Sequence, residues 1–395
     1  MSKRAWIALG IIVLVTVEAG SAAVLFVARR YLGQPYDPIR TTSLAAPHKE
    51  MLERLLAGET TYYAHSPTLG WTIKPNGYAP LYRANAQGIR GNRIYRPTPP
   101  RGVLRLAAFG DSFTHGDDVR NQDTWEELLV RAHGQLEVMN FGVSGYGSDQ
   151  AFLRYREEGL QYRPQITIIG FLPEDAYRNV NVFRPFYYPD TGLPLAKPRF
   201  VLRAGRLVLI ENPMQGLGRY RDLLAQPERI LPQLGIHDHY YQVKYKPGSW
   251  DFLSTVRLLK LVRYALHERS TERPEARFFN PDAEAFRVTA AILDLFVDTV
   301  AGAGSVPIIL IFPAGRDIIR FRRTGSRQYT PMLEHIRAKG YRYIDLLDWF
   351  EAQARDVPVE EIAPSHYSVL GHGLVAGAVW RYLQEEGLAN RGTTP

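Results

Sequence analysis

The chain has 395 residues, of which 45% are hydrophobic and 22% are charged, an ordinary balance for a globular protein of one or two domains. It contains no cysteine, which excludes disulfides, a lipid-modified cysteine and thiolate metal sites. The net charge of +8 favours a partner of negative charge, such as anionic lipid or an acidic polymer. The basic residues are scattered as on a solvated surface and no nucleic-acid-binding motif occurs, so no nucleic-acid partner is expected.

The N-terminal segment predicts a membrane anchor over residues 1–30. Residues 5–28 form an apolar run long enough to cross a bilayer, with Glu18 as their one charged residue. Basic pairs flank both ends, and a short cytoplasmic N-terminus favours a single-pass protein of the cytoplasmic (inner) membrane with its domain outside. A cleaved signal peptide, with small residues at 19–23, and a buried core helix are the alternatives. Because a charge near mid-membrane is costly, Glu18 is expected near the outer interface or against a partner.

Residues 31–103 are rich in Pro, Tyr, Gly and Arg without clear periodicity, and predict an irregular lead-in that packs on the main domain. The segment 70–77 is typical of turns and short strands.

From Leu104 onward, predicted strands alternate with predicted helices, which indicates a parallel sheet covered on both faces. The helix that starts near Trp125 has Asp123 as its possible N-cap and Gly134 as its stop. The predicted strands are 104–109, 138–140, 166–170, 306–312 and 341–345, and the predicted helices are 125–132, 150–158, 281–301 and 374–383. Asn280-Pro281 is expected to cap the long third helix.

The alternation breaks at about 181–278, which predicts an insertion with a hairpin near 200–210. Its many prolines and aromatic residues separate it from the predicted main domain, residues 104–390.

Three short segments follow apolar runs or precede the closing helix, and they carry the chemistry of the chain. Gly110-Asp111-Ser112-Phe113 follows the first strand, the segment 140–145 follows the second, and Ser365-His366 lies close to the C-terminus. A serine on a tight turn after a strand, with a histidine to take its proton, is what nucleophilic ester chemistry needs. An ordinary strand-to-helix turn with a capping serine is the structural alternative for Ser112.

These segments resemble the GDSL, or SGNH, hydrolase family over residues 104–180 and 300–386. The resemblance implies an α/β fold, a three-layer α/β/α sandwich with a mostly parallel, flavodoxin-like sheet. It also implies Ser112 as nucleophile, His366 as general base, and the backbone N–H groups of Ser112 and Gly145 as donors to the oxyanion.

A further segment, directly after the predicted strand 166–170, departs from the family pattern Gly-x-Asn-Asp, in which the asparagine donates to the oxyanion. Here Glu174 or Asp175 stands in its place, and an ionised carboxylate has no proton to donate. Three accounts are open: the carboxylate is protonated in an apolar site, the amide comes from Asn179 or Asn181, or the oxyanion hole has only two backbone donors.

The usual acid three residues before the histidine is also missing, because Ala363 stands there. A backbone carbonyl could orient the His366 ring, which would make a Ser–His dyad, or Glu360 or Glu361 could approach it. His372 and His115 are interpreted as structural residues. The pair of histidines in the segment 237–239 is a weak metal-site signal, and neither metal nor cofactor is expected.

The sequence therefore predicts a serine esterase that works through an acyl-serine intermediate. Its expected substrate is an acyl ester or O-acetylated glycan of the cell envelope or an exported polymer. An O-acetyltransferase that passes the acyl group to a polysaccharide hydroxyl is one alternative. A non-catalytic domain that binds glycan or acts as a scaffold is the other.

Overall fold

The computed structural model describes residues 2–31, 44–270 and 278–389. The predicted lead-in residues 32–43, the insertion residues 271–277 and the C-terminal residues 390–395 lie outside the described residues. The described strands are β1 (Tyr63–Ser66), β2 (Gly70–Ile73), β3 (Leu104–Phe109), β4 (Leu136–Asn140), β5 (Ile166–Phe171), β6 (Arg199–Arg203), β7 (Arg206–Ile210), β8 (Val306–Ile311) and β9 (Tyr343–Asp345).

The α-helices alternate with these strands in the main domain and dominate the insertion. They are α1 (Lys3–Tyr31), α2 (Ala46–Leu56), α3 (Ser112–His115), α4 (Trp125–Ala132), α5 (Ser148–Arg154), α6 (Asp175–Arg178), α7 (Arg184–Tyr187), α8 (Gly218–Ala225), α9 (Pro227–Leu234), α10 (Ser254–Ser270), α11 (Glu284–Gly302), α12 (Gly315–Thr324), α13 (Thr330–Ala338), α14 (Leu346–Gln353), α15 (Val359–Ile362) and α16 (Val369–Glu385).

The central sheet has five parallel strands in the order β4-β3-β5-β8-β9, which is the flavodoxin-like order. Every residue of β3 and β5 is buried, as expected for continuous apolar strands covered on both faces. Helices α5 and α11 contact each other, while α4 contacts α16, so the sheet lies between two helical layers. The predicted three-layer α/β/α sandwich is confirmed, and it places the ends of β3, β4 and β5 at one edge.

Several predicted helix ends were wrong because local capping chemistry decides them. Helix α4 spans the predicted residues 125–132, but it is capped by Thr124, whose Oγ1 accepts from Glu127 N over 3.4 Å, and not by Asp123. Asn280 does not cap α11 and instead accepts from Asp282 N in a preceding turn. Helix α16 begins at Val369, earlier than predicted.

The lead-in contains an antiparallel hairpin, β1–β2, that packs on the main domain through the buried Trp71. The insertion carries the predicted hairpin as β6–β7, in which Phe200 pairs with Leu209. Its remaining described part contains the helices α7 to α10.

Helix α1 is the one helix, among the described residues, that is long and apolar enough to cross a membrane. The apolar stretch is Lys3–Ala28, with a mean hydropathy of 2.3 and only 6% of its most apolar window buried. Such exposure disagrees with the core-helix alternative, whereas a signal sequence would satisfy the same criteria of length and composition.

Candidate active site

Ser112 is the first residue of α3, directly after the turn that ends β3. Asp111 caps this short helix, because its Oδ1 accepts from Phe113 N over 2.9 Å. The first N–H groups of a helix have no partner within the helix. Within the described residues, neither the Ser112 N–H nor its hydroxyl has a hydrogen-bond partner, and the residue is 5% exposed. The serine is therefore held in place while both of its polar groups remain available.

His366 lies beside the nucleophile segment and is paired with an aspartate that the sequence analysis did not identify. Its Nδ1 is 3.1 Å from Asp118 Oδ2, and its ring centroid is 5.2 Å from that of Phe113, the neighbour of Ser112. The Ser365 hydroxyl and the His366 backbone N–H donate to the same carboxylate. Partial burial would raise the pKa of Asp118, but these hydrogen bonds and the imidazole outweigh it and lower that pKa. An ionised carboxylate thus faces Nδ1.

The proposals for the missing acid were therefore wrong. Among the described residues, neither Glu360, Glu361 nor a backbone carbonyl holds the His366 ring; the partner is Asp118, only six residues after Ser112. The Asp117-Asp118 pair next to the nucleophile was the available signal. A search confined to residues just before the histidine could not find it.

The loop after β4 brings Gly145 to the same edge of the sheet. Gly145 has a φ of +78°, in the left-handed region that favours glycine, and within the described residues its N–H has no acceptor. The lead-in fixes the residue before it: Tyr63 Oη donates to Ser144 Oγ over 2.6 Å, and Trp71 Nε1 donates to the Ser144 carbonyl over 3.0 Å. The loop that carries the expected oxyanion donor is thus held from outside the main domain.

Glu174 and Asp175, predicted at the position of the family asparagine, are both bound to Arg178. The Arg178 guanidinium also contacts Asp111 Oδ2 over 2.8 Å, so one cation contacts three carboxyl groups. Burial opposes ionisation of Glu174, but Arg178 and Arg316 outweigh it and lower its pKa to about 2. Glu174 is therefore ionised and cannot donate to an oxyanion.

Asp175 is almost completely buried, and burial followed by the charge of Asp111 raises its pKa well above the usual range. Its Oδ2 nevertheless accepts from Leu172 N and from Ser148 Oγ, both over 3.3 Å, which fixes the carboxyl against its own turn. These contacts give Asp175 a structural position rather than that of an oxyanion donor.

The two asparagines that were alternatives are also engaged. Asn179 Nδ2 donates to Thr289 Oγ1 over 2.9 Å, and Asn181 Nδ2 donates to Asp238 Oδ2 over 2.8 Å. Of the three accounts, the one that agrees with these contacts is an oxyanion hole of backbone donors. Arg184, which the sequence analysis did not identify, lies beside the expected donor Gly145. Its Nη1 donates to the Gly145 carbonyl over 2.8 Å.

Residues 108–374 match the GDSL-like lipase/acylhydrolase family, and this range covers more than half of the chain. The chain belongs to the GDSL-like lipase/acylhydrolase family. It is thus an ester hydrolase by family. The matched range contains Ser112, Gly145, Glu174 and His366. The lipoprotein YqeF of Bacillus subtilis (strain 168), itself uncharacterized, is 33% identical over 82 residues, which are 19% of this chain and 34% of that protein.

Two solved structures are similar to this chain at low identity. A lipolytic protein of the G-D-S-L family from Desulfitobacterium hafniense DCB-2 aligns with 71% of this chain and 99% of its own, at 14% identity and a TM-score of 0.35. An acetylxylan esterase from Geobacillus stearothermophilus aligns with 71% of this chain and 94% of its own, at 14% identity and a TM-score of 0.37. Similarity this distant carries no information about the substrate.

Two histidines near the site are buried in structural contacts. His115 Nε2 lies 2.6 Å from Tyr62 Oη and its Nδ1 lies 2.6 Å from Asp117 Oδ1, while burial and the charge of Arg90 lower its pKa to about 4. His372 Nδ1 accepts from Trp125 N over 3.2 Å, and mainly burial lowers its pKa to about 3. Both contacts agree with the structural roles interpreted from the sequence.

The weak metal signal at 237–239 has another explanation in the structure. Asp238 is buried and accepts from the backbone N–H groups of Val182, Phe183 and Tyr241, which shapes the insertion. The described residues contain no group of three or more His, Asp or Glu placed to hold a metal ion.

A cavity of about 840 Å³ lies elsewhere, at the β9 edge of the sheet, where Asp345, Trp349 and Arg381 line it. None of its lining residues belongs to the candidate active site.

Proposed function

We propose that this protein is a serine esterase whose catalytic residues are Ser112, His366 and Asp118. The His366–Asp118 contact of 3.1 Å carries the proposal, since it orients the ring and leaves Nε2 as the proton acceptor. The free N–H groups of Ser112 and Gly145 supply the two oxyanion donors.

The reaction proceeds in two steps. Ser112 Oγ attacks the ester carbonyl while His366 Nε2 takes its proton; the C–O bond to the alcohol then breaks and His366 returns the proton to the leaving alkoxide. In the second step His366 takes a proton from water, the hydroxide attacks the acyl-serine carbonyl, and the carboxylic acid leaves as Ser112 is reprotonated. Asp118 stabilises the imidazolium in both steps.

The solvent exposure of the His366 and Asp118 side chains favours hydrolysis over acyl transfer. The side chains of His366 and Asp118 are 28% and 46% exposed, so water reaches the acyl-enzyme directly. An O-acetyltransferase would need to protect this acyl group from water until a polysaccharide hydroxyl arrived.

The charged and aromatic side chains near Gly145 favour a polar alcohol, such as a sugar, as the leaving group. Arg184 lies there within 5.8 Å of the Tyr188 ring, and Glu174 accepts from Tyr187 Oη. Tyr188 is 49% exposed, and an exposed ring beside charged groups suits a hydrated ring substrate better than an acyl chain. With α1 as an anchor in the cytoplasmic membrane, the substrate would be an O-acylated glycan of the envelope or an exported polymer.

The first test is covalent labelling of the full chain in detergent with a fluorophosphonate probe. We expect labelling of the wild type, none of Ser112→Ala, and a loss of at least about 10²-fold in rate for His366→Ala. Release of acetate from an acetylated xylan or mannan, compared with an acetylated lipid, then separates glycan from lipid substrates. Folded wild-type protein that does not label would overturn the esterase and favour a non-catalytic glycan-binding domain.

A further inference from the structure

Glu18, the one charged residue in the apolar run of α1, caps a helix of the insertion. Its Oε2 accepts from Ser254 N over 2.6 Å and its Oε1 from Thr255 N over 3.2 Å, at the start of α10. One turn further along α1, Ser21 Oγ lies 3.1 Å from Thr255 Oγ1. A carboxylate at this place satisfies N–H groups that a helix start leaves unpaired. Helix α1 is thus docked on the insertion through polar contacts.

The position of Glu18 along α1 sets the depth of this contact. At 1.5 Å per residue, Glu18 lies about 15 Å below Ala28, where the apolar stretch of α1 ends. The hydrocarbon core of a bilayer is about 30 Å thick. If α1 spans the membrane, the start of α10 therefore lies among the acyl chains and not in water.

The residues around the start of α10 expose large apolar side chains. Trp250, Phe252 and Leu259 are 65%, 69% and 63% exposed, and Val262 is 44% exposed. Such a group of exposed apolar side chains is costly in water and marks an interaction surface. Its place beside the exposed apolar face of α1 makes the two surfaces continuous.

The charged residues of the same segment are compatible with contact to lipid. Asp251, the acidic residue of the segment, is neutralised by Lys260, whose Nζ is 2.5 Å from its Oδ1. Arg257 and Arg263 add two basic side chains on α10. The long basic side chains can extend towards the headgroups while the tryptophan and the exposed aliphatic residues contact the acyl chains.

We propose that residues 250–262 form a second membrane-contacting element, which enters the leaflet next to the domain beside α1. The occupant of its apolar surface is the lipid of the membrane that α1 spans. The proposal requires that α1 is retained as an anchor, because cleavage within 19–23 would separate Glu18 from α10. It is independent of the ester chemistry of the domain.

The absence of cysteine allows a direct test by single-cysteine spin labelling of the full chain in phosphatidylcholine–phosphatidylglycerol vesicles. Labels at Phe252→Cys and Leu259→Cys report on the depth of the segment. A label at Leu14→Cys is the reference for a position inside the membrane. A label at Ile94→Cys, where the native side chain is 60% exposed, is the reference for a position in water. Relaxation by oxygen and by a water-soluble nickel chelate gives the depth of each label.

We expect the oxygen-to-nickel ratio at positions 252 and 259 to approach that of Leu14→Cys and to exceed that of Ile94→Cys several-fold. A water-like ratio at both positions would overturn the proposal, as would a water-like ratio at position 14. Shielding from both reagents would also overturn it, because a protein partner would then cover the segment. Fluorophosphonate labelling is measured separately, so failure of the membrane proposal can be distinguished from failure of the esterase proposal.

A second experiment tests the docking of α1 itself. In membranes, Ser21→Cys combined with Thr255→Cys is expected to form a disulfide on mild oxidation, since the two hydroxyls are 3.1 Å apart. Ser21→Cys with Val262→Cys is the matched control, because seven helical residues add about 10 Å. Glu18→Gln should slow the first cross-link several-fold. Equal cross-linking of both pairs, or a mature protein without residue 21, would contradict the inference.

Discussion

His366 Nδ1 lies 3.1 Å from Asp118 Oδ2 and thereby joins the last segment of the domain to the first turn after the nucleophile. The two residues are 248 positions apart in the chain. In this arrangement the acid lies close to Ser112 in the sequence and not close to the histidine. Its geometry depends on the packing of the C-terminal segment against Phe113.

Replacing Asp118 with Asn should lower kcat for ester hydrolysis by about 10²–10⁴-fold, because an amide favours the wrong tautomer and does not stabilise the imidazolium. Glu361→Gln is the matched control and should stay within two-fold of wild type, since its carboxylate does not contact the ring. The measurement is steady-state hydrolysis of a soluble acetyl ester. Equal rates for Asp118→Asn and wild type would exclude Asp118 from catalysis.

Gly145→Ala should lower both kcat and stability. The residue has a φ of +78°, and an added Cβ would lie 2.6 Å from Arg184 Nη1. We expect about 1–2 kcal/mol less free energy of unfolding and a loss of about tenfold or more in kcat, because the oxyanion donor shifts. Gly216→Ala, where a Cβ meets nothing within 4 Å, should change neither. Urea unfolding and hydrolysis assays decide the outcome.

Glu174 should stabilise the fold in a pH-dependent way. Its pKa falls from 4.5 to about 2 in the folded protein, so its contribution is present above pH 4.5 and is lost as pH decreases towards 2. Glu174→Gln should therefore cost about 3 kcal/mol near pH 6, and the difference from wild type should shrink at pH 3. Urea unfolding at both pH values measures it; a constant difference would mean that the ion pairs with Arg178 and Arg316 contribute little.

His372 should destabilise the protein on acidification. Its pKa is lowered from 6.5 to about 3, so the unfolded chain binds a proton between these values that the folded chain does not, and stability decreases as pH falls below 6.5. His372→Asn keeps an acceptor for the Trp125 N–H but cannot titrate. Its unfolding free energy should vary less between pH 7 and pH 4, by up to about 1.4 kcal/mol per pH unit. Parallel profiles for the two proteins would contradict this.

The sequence predicted the fold well where its signal was local and strong. The strand at 104–109 and the alternation that follows gave the parallel sheet, because apolar runs of this length are buried on both faces. Helix ends were predicted less well. The N-cap of α4 at Thr124 and that of α16 at Ser368 depend on hydrogen bonds between neighbours that several residues could supply.

The sequence by itself determined which groups could do chemistry: a serine on a turn after a strand, a late histidine and a glycine after the second strand. These follow from residue types next to periodic segments, which are local properties. Only the tertiary structure decided what surrounds them. It paired Asp118 with His366, bound Glu174 and Asp175 to Arg178, and set Glu18 against α10, because charged groups separated along the chain satisfy one another only once the fold brings them together.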